Sequence, residues 1–223
     1  MANILITGGN RGIGSELAKR YAARGDRIIA TSRDAGKAPA LKGVEFITMD
    51  VASETSVKAA AASLHNLPID LVINNAGQLN GYGGLGSAEH SQAAWAAVLM
   101  TNVAGPYFVA VAFLPNLRAG RGRKLAIITS GMGSSERASG GAYPYRASKA
   151  RATNLARNLA RDLAVEGIAV GAYHPGWVRT DMGGPGAAIG VEESAQGLMV
   201  RFDALTLATS GIVEDYQGTP VPF

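Results

Sequence analysis

The sequence predicts an α/β fold of the doubly wound type, with a parallel sheet of about seven strands covered by helices on both faces. Short apolar runs typical of buried strands alternate along the chain with segments of helical periodicity. This alternation is typical of strand–helix–strand crossovers, and continuous apolar strands fit burial on both faces. Of the 223 residues, 47% are hydrophobic, enough for one core. We predict a single domain, residues 1–223, with a short lid around residues 181–195.

The first half of the chain supplies four of the strands. An apolar run near the N-terminus ends in glycines, and after it Ile13, Leu17 and Tyr21 recur at every fourth position, as on one face of a helix. Ser53 is a typical helix start, and the alanine-rich stretch behind it ends before Pro68. The predicted strands are residues 4–6, 27–31, 44–49 and 70–73, and the predicted helices are residues 13–25 and 53–67.

The second half repeats the alternation with longer helices. Leu155, Leu159 and Leu163 share one face of a helix. Two Gly/Ser-rich loops, 78–86 and 131–141, follow strand ends, and ligands bind open α/β sheets at that edge. The predicted helices begin at about residue 91 and cover 105–117, 143–165 and 192–205, and the predicted strands cover 124–129, 168–173 and a short stretch around Ile212.

Composition and charge exclude several classes of protein. Lys and Arg number 21 against 17 Asp and Glu, a net charge of +4, without a basic stripe interleaved with aromatic residues, so we expect no nucleic-acid partner. The sequence has no cysteine and no His/carboxylate cluster with ligand spacing, so we predict no metal. The N-terminus does not resemble a signal peptide, and no apolar run approaches the roughly 18 residues of a membrane span. We therefore expect a cytoplasmic protein with no membrane partner.

A glycine-rich turn joins the first strand to the first helix. Its sequence is Thr7-Gly-Gly-Asn-Arg-Gly-Ile-Gly14. Glycines let a backbone approach a pyrophosphate closely, and the helix N-terminus offers free N–H groups and a positive dipole end. Although the spacing departs from Gly-x-Gly-x-x-Gly, its place directly after the first strand favours a nucleotide over an ordinary tight turn, and hence a Rossmann-type fold. The candidate cofactor-binding residues here are Thr7, Gly8, Asn10, Arg11, Gly12, Ile13 and Gly14.

Further motifs follow in register along the chain. They are Asn74-Asn-Ala-Gly77 after the fourth strand, Asn102 in Thr-Asn-Val-Ala-Gly105, Ser130 after the fifth strand, Tyr145-Arg-Ala-Ser-Lys149, and Pro175-Gly-Trp-Val-Arg-Thr180 after the sixth strand. Together they resemble the short-chain dehydrogenase/reductase family over nearly the whole chain, most closely its C-factor and sniffer-like carbonyl reductase branch. The resemblance implies NADP(H)-dependent, reversible conversion of a small or medium ketone or aldehyde to an alcohol, without identifying the substrate.

The residues after the second strand favour NADP(H) over NAD. An acidic residue there would receive the adenosine 2′-hydroxyl of NAD, but the sequence is Thr31-Ser-Arg-Asp34. Arg33, with Arg11 as a second cation, suits a 2′-phosphate through charge-assisted hydrogen bonds. The alternative is that Arg33 is solvated and Asp34 binds the ribose. The resemblance implies further cofactor contacts from Asp50, Val51, Asn75, Ala76, Gly77, Tyr145, Lys149, Pro175, Gly176, Val178 and Thr180.

Tyr145 and Lys149 lie four residues apart on one predicted helix and therefore on one face. An ammonium group near a phenol stabilises the phenolate, so we expect Lys149 to lower the pKa of Tyr145 from its usual value of about 10. Tyr143 is the competing candidate, but the residue four positions after it is Ala147, which carries no charge.

The resemblance implies one catalytic role for each of four residues. Tyr145 exchanges a proton with the substrate oxygen, and Ser130 steadies that oxygen. Lys149 binds the nicotinamide ribose, and Asn102 holds a water that connects Lys149 to solvent. The alternatives to Ser130 are Ser134 and Ser135.

Several interpretations stay open. Trp177 is either a substrate wall or a packing residue, and His174 is more typical of a packed, hydrogen-bonded histidine than of a base. We expect the small, apolar lid to be open and mobile. Besides the carbonyl or alcohol substrate, we expect a second copy of the chain as partner, in a homodimer or homotetramer built on the helices at 91–118 and 143–165. The alternative function is an NADP-binding signalling or regulatory protein with little turnover.

Overall fold

The computed structural model describes all 223 residues and contains one parallel sheet, which confirms the predicted doubly wound fold. Its strands are β1 Asn3–Ile6, β2 Arg27–Ser32, β3 Val44–Thr48, β4 Leu71–Asn74, β5 Lys124–Ile128, β6 Ala169–His174 and β7 Val213–Asp215. They lie in the order β3-β2-β1-β4-β5-β6-β7. The chain leaves β1 towards β2 and later returns to its other side at β4, so the crevice above β1 and β4 is the topological switch point, where open α/β sheets bind ligands.

Helices cover both faces of the sheet because successive strand residues point to opposite sides. The helices are α1 Gly12–Ala23, α2 Glu54–Ser63, α3 Gln92–Leu99, α4 Gly105–Ala112, α5 Leu114–Ala119, α6 Tyr143–Ala164 and α7 Val191–Ala204. In β1, Leu5 belongs to the apolar cluster formed with α2, α4 and α6, whereas Ile4 and Ile6 belong to the cluster formed with α1 and α7.

The middle of the chain differs from its prediction in two ways. A π-helical turn, Met100–Ala104, joins α3 and α4 into one continuous helix, where two separate helices were expected. The helix predicted over 105–117 also breaks at Phe113, after which α5 starts with Pro115 in its first turn. Proline interrupts a helix because it lacks the N–H group and its ring clashes with the preceding turn.

The continuous helix Gln92–Ala112 corrects the expectation that no apolar run approaches the length of a membrane span. It carries no charged residue, its mean hydropathy reaches 1.4, and by length and composition alone it would suit a span. In the fold it is part of the cover of the sheet, with Val98, Asn102 and Val109 fully buried. Only 33% of the apolar stretch is buried, so the helix also presents an exposed apolar face.

Candidate functional site

The glycine-rich turn lies at the switch point and has a backbone that only glycine adopts easily. Gly8 and Gly12 have φ values of +65° and +54°, in the left-handed region. A Cβ on Gly8 would lie 3.0 Å from the Cα of Ala76, and a Cβ on Gly14 would lie 2.4 Å from the carbonyl oxygen of Gly8. The turn therefore closes tightly in front of the N-terminus of α1, as a pyrophosphate site requires.

Hydrogen bonds join this turn to the end of β4. The hydroxyl of Thr7 accepts from the backbone N–H groups of Asn75 at 3.0 Å and Ala76 at 2.9 Å. The side-chain amide of Asn75 donates to the carbonyl oxygens of Thr7 at 2.9 Å and Gly8 at 3.1 Å. Thr7 and Asn75 thus position the two loops that border the crevice.

The other predicted residues of the turn differ in exposure. Asn10 and Ile13 are half-buried, whereas Arg11 is exposed. The guanidinium of Arg11 lies 2.7 Å from the carboxylate of Asp181, the residue after Thr180. The first residue of the lid is therefore joined across the crevice to the turn.

The end of β2 presents a free cation rather than a free carboxylate. Asp34 accepts a hydrogen bond from the backbone N–H of Gly36 at 3.1 Å and lies 3.0 Å from the ammonium of Lys37. Arg33 is exposed and forms no ion pair, since the neighbouring Asp34 pairs with Lys37. Asp34 is therefore engaged within its own turn, whereas the guanidinium of Arg33 is free.

Asp50 and Val51, the residues expected at the adenine, make contacts within the protein. The carboxylate of Asp50 accepts from the N–H of Ala52 at 3.0 Å. Val51 is buried against the start of α4, since a Cβ on Gly105 would lie 3.1 Å from the side chain of Val51. Val51 therefore packs below the crevice, and Asp50 holds the turn after β3.

Asn102 lies in the π-helical turn and connects three elements. Its carbonyl oxygen accepts from the N–H of Gln78 at 2.9 Å, and its amide donates at 2.9 Å both to the carbonyl of Gln78 and to the hydroxyl of Ser148. Ser148 in turn donates to the carbonyl of Tyr145 at 2.7 Å. The side chain of Asn102 thus positions α6 and the β4–α3 loop, and π-helical turns are common at such sites. The role of Asn102 in holding a water stays a prediction.

Ser130 and Tyr145 meet at the carboxyl end of β5. Burial raises the pKa of Tyr145 to about 12, and the nearby hydroxyl of Ser130 acts in the opposite direction. Ser130 also accepts from the N–H of Met132 at 3.2 Å. The structure gives the alternatives other surroundings. Ser134 is buried and accepts from the N–H of Arg137 at 3.3 Å, Ser135 is exposed, and the ring of Tyr143 packs edge-on against His90.

Lys149 is buried beside Tyr145. Its ammonium donates to the carbonyl of Ile128 at 2.8 Å and lies 5.7 Å from the centroid of the Tyr145 ring. Burial lowers the pKa of Lys149 to about 8. The expectation that the pKa of Tyr145 lies below its usual value is therefore wrong for this structure, because the cost of burying the phenolate dominates and raises that pKa.

A glycine keeps space open in front of these groups. A Cβ on Gly77 would lie 3.4 Å from the side-chain oxygen of Asn102 and 3.6 Å from the ammonium of Lys149. Together with the glycine-rich turn, the space beside Gly77 lets a ligand approach the backbone closely at both ends of the crevice. The crevice therefore fits a dinucleotide, with the glycine-rich turn at its phosphates.

The segment after β6 closes the crevice from the other side. Gly176 has a φ of +85°, and a Cβ there would lie 2.6 Å from the side chain of Ile189. A Cβ on Gly12 would lie 3.3 Å from the methyl of Thr180, so the segment reaches the glycine-rich turn. Val178 is buried and pairs with Ile189, and Pro175 accepts a hydrogen bond from Ser194 at 2.6 Å.

The two open interpretations near β6 are resolved by exposure and burial. Trp177 has an exposed fraction of 59%, and its indole donates to the carbonyl of Gly183 at 2.9 Å, so it is not a packing residue of the core. Burial lowers the pKa of His174 to about 4, and its Nδ1 has no hydrogen-bond partner. The expectation of a hydrogen-bonded histidine is wrong for that atom, and the ring is neutral near pH 7. The lid itself ends at Gly190, because α7 starts at Val191.

Sequence reasoning missed three residues that shape the site. Gly9 brings the turn against β2, since its Cβ would lie 2.7 Å from the Cβ of Ala30. Ser148 precedes Lys149 and lies one helical turn after Tyr145, a spacing that could have identified it. Tyr82, whose hydroxyl donates to the carbonyl of Met182 at 2.6 Å, gave no signal because its partner is distant in sequence.

The chain is similar to known oxidoreductases over most of its length. A model of the short chain dehydrogenase family matches residues 2–187. The C-signal protein of Myxococcus xanthus is 41% identical over 168 residues, which cover 75% of this chain and 100% of that protein. Two solved structures superpose on the fold. NADPH-bound carbonyl reductase from chicken fatty liver has a TM-score of 0.89 and 28% identity, with 100% of this chain and 99% of that chain covered. Carbonyl reductase Sniffer of D. melanogaster has a TM-score of 0.92 and 26% identity, with both chains fully covered at 100%.

The family match extends from β1 into the lid and includes the glycine-rich turn, Asn102, Ser130, Tyr145 and Lys149. Sequence similarity and the geometry at the switch point agree, and the chain belongs to the short-chain dehydrogenase family, whose Rossmann-type oxidoreductases act on small molecules.

Proposed function

We propose that the protein is an NADPH-dependent reductase of a small or medium ketone or aldehyde, and that the reaction is reversible. The observation that carries this proposal is the arrangement of Ser130, Tyr145 and Lys149 beside the gap kept open by Gly77. It provides a proton donor, a second hydroxyl for the same oxygen and a buried cation within one small space. The similarity to an NADPH-bound carbonyl reductase supports the same chemistry.

Tyr145, Ser130 and Lys149 have separate roles at the carbonyl oxygen of the substrate. The hydride comes from NADPH when it is bound. A pKa of about 12 keeps the phenol of Tyr145 protonated at neutral pH, so it can donate a proton as negative charge develops on the substrate oxygen. Ser130 offers a second hydrogen bond to that oxygen. Lys149 stabilises the phenolate that remains, and Asn102 with Ser148 holds α6 in place for both residues.

The preference for NADPH over NADH rests on Arg33 and Arg11. Arg33 has no acidic partner at the end of β2, where a 2′-phosphate would lie. Arg11 stands in the glycine-rich turn, paired with Asp181. A dianionic phosphate forms stronger charge-assisted hydrogen bonds than an exposed carboxylate, so Arg11 can exchange Asp181 for the cofactor.

Replacing Tyr145 tests the proposal directly. In Tyr145→Phe the ring stays but the proton donor is lost, so kcat/KM for carbonyl-dependent NADPH oxidation should fall by about 10²–10⁴-fold. NADPH binding, followed by its fluorescence, should persist and shows that the variant is folded. Turnover by Tyr145→Phe at the wild-type rate would disprove the assignment.

The similarity to the C-signal protein supports a second candidate, an NADP-binding signalling protein with little turnover. The complete set of Asn102, Ser130, Tyr145 and Lys149 favours the reductase. A broad panel of aldehydes and ketones, tested with NADPH and NADH, distinguishes the two. Tight NADPH binding without turnover of any carbonyl would favour the signalling protein.

A further inference from the structure

Three consecutive residues at the start of the lid each contact a different part of the molecule. Asp181 pairs with Arg11 of the glycine-rich turn at 2.7 Å. The carbonyl of Met182 accepts from the hydroxyl of Tyr82 at 2.6 Å, and the carbonyl of Gly183 accepts from the indole of Trp177 at 2.9 Å. A lid that its composition predicts to be open is thus held by side-chain contacts at residues 181–183.

Tyr82 reaches this lid from the opposite side of the site. Its backbone lies against the turn that opens α6, since the N–H of Ala142 donates to the carbonyl of Gly83 at 3.1 Å and a Cβ on Gly141 would lie 3.3 Å from the carbonyl of Tyr82. Tyr145 follows three residues after that turn. Charge repulsion from Tyr82 also acts on Tyr145 and raises the pKa of Tyr145 further.

The ring of Tyr82 is not part of the core. Its exposed fraction is 61%, so neither burial nor packing explains an aromatic residue in this glycine-rich loop. The backbone is fixed at one end of the side chain and a hydrogen bond fixes the other, and a tyrosine has only two χ angles to order. The ring therefore spans from the start of α6 to the lid with a defined position.

We propose that Tyr82 is a specificity-determining residue, whose ring limits the substrate space above Tyr145 and whose hydroxyl fixes the lid at Met182. The inference rests on the proposed reductase function. The ring and the hydroxyl have separable effects. The ring excludes long substituents next to the carbonyl, whereas the hydroxyl sets how firmly the lid is held.

Substrate length tests the role of the ring. Benzaldehyde and 4-phenylbenzaldehyde share a reacting group and differ in length. In Tyr82→Ala the ratio of kcat/KM for the long to the short aldehyde should rise by about tenfold, the discrimination typical of shape in an apolar site. Leu85→Ala is the matched control, because Leu85 lies in the same loop with an exposed fraction of 91% and its ratio should not change.

Fluorescence tests the role of the hydroxyl without any turnover. The chain has two tryptophans, so Trp95→Phe leaves Trp177 as the reporter, and its partner Gly183 follows Met182 directly. In the Trp95→Phe background, Tyr82→Phe should increase the quenching of Trp177 by acrylamide, whereas Leu85→Ala should not.

The outcomes separate this inference from the proposed function. An unchanged aldehyde ratio in Tyr82→Ala overturns the role of the ring, and unchanged quenching in Tyr82→Phe overturns the role of the hydroxyl, while wild-type turnover still supports the reductase. If the wild type reduces no aldehyde or ketone, the reductase and the specificity role both fail, and increased quenching then supports only the contact with the lid.

Discussion

Lys149 is a buried ammonium with a single carbonyl acceptor, Ile128, at 2.8 Å. Burial disfavours its charged form, which lowers its pKa to about 8. Tyr145 is shifted in the opposite direction, to about 12, because burial also disfavours the phenolate. Both shifts favour the uncharged side chains. The pKa of Lys149 therefore lies below, and that of Tyr145 above, the value of about 10 at which a tyrosine usually ionises.

The pH dependence of reduction should therefore follow Lys149 and not Tyr145. Below pH 8 the ammonium is present, and it is lost as the pH rises through about 8. Tyr145 stays protonated throughout this range. We expect kcat for carbonyl reduction to be constant from pH 6 to about 7.5 and then to decrease, by at most tenfold per pH unit.

A profile of kcat from pH 6 to 10 at saturating NADPH and substrate checks this. In Lys149→Arg the charge is permanent, so whatever activity remains should lack the decrease near pH 8. A rate that rises above pH 8 in the wild type would contradict the assignment.

At the scale of the element, the glycine-rich turn depends on backbone geometry more than on side-chain donors. Gly8 combines a φ of +65° with close contact to Ala76. Gly25 has a φ of +95°, but a Cβ there would meet nothing within 4 Å. Comparing alanine variants at the two positions therefore separates the effect of backbone strain from the effect of crowding the crevice.

Alanine at either glycine should lower stability, by roughly 1–2 kcal/mol for the left-handed conformation. Only Gly8→Ala should also weaken NADPH binding, because Ala76 and the turn must move apart to admit the methyl group. Urea denaturation and NADPH titration of both variants measure the two effects. Equal NADPH affinity in Gly8→Ala and the wild type would show that the turn does not approach the cofactor.

The lid is the second element whose contacts predict a measurable effect. Asp181 and the 2′-phosphate of the cofactor compete for Arg11, so Asp181→Asn should strengthen NADPH binding by about two- to fivefold, in keeping with the small energy of an exposed ion pair. NADH binding should change less. Asp203→Asn removes a similar exposed partner, 2.6 Å from Arg24 and outside the crevice, and should leave both affinities unchanged. Weaker NADPH binding in Asp181→Asn would contradict the competition.

For the whole molecule, the sequence predicts the sheet well because local signals specify it. Each strand is a short apolar run next to a glycine or a helix start, and the strand–helix alternation implies parallel crossovers. The family motifs place Ser130, Tyr145 and Lys149 in the correct elements. Contacts between distant residues were not predictable, as the pair of Arg11 and Asp181 shows. The raised pKa of Tyr145 was also missed, because a pattern gives the neighbours of a group but not its dehydration.

At the scale of the whole molecule, one apolar surface is exposed to solvent in the monomer. The exposed apolar side chains of the continuous helix include Met100, Tyr107 and Val111, and beside them Leu155 of α6 lines an apolar groove. Exposed apolar patches of this kind are typical of interaction sites. The surface lies on the two helices that the sequence predicts as a subunit interface.

We expect this surface to be buried against a second copy of the chain in a homodimer or homotetramer. Tyr107→Glu places a charge on an exposed position of the patch, so it should halve the mass in solution without unfolding the chain, because a buried unpaired charge is costly at an interface. Light scattering after size exclusion measures this against the 22.9 kDa of one chain. Val200→Glu, at an exposed apolar position on α7, is the matched control and should keep the wild-type mass. A wild type that is monomeric at micromolar concentration would refute the interface, and the exposed helix would then need a partner of another kind.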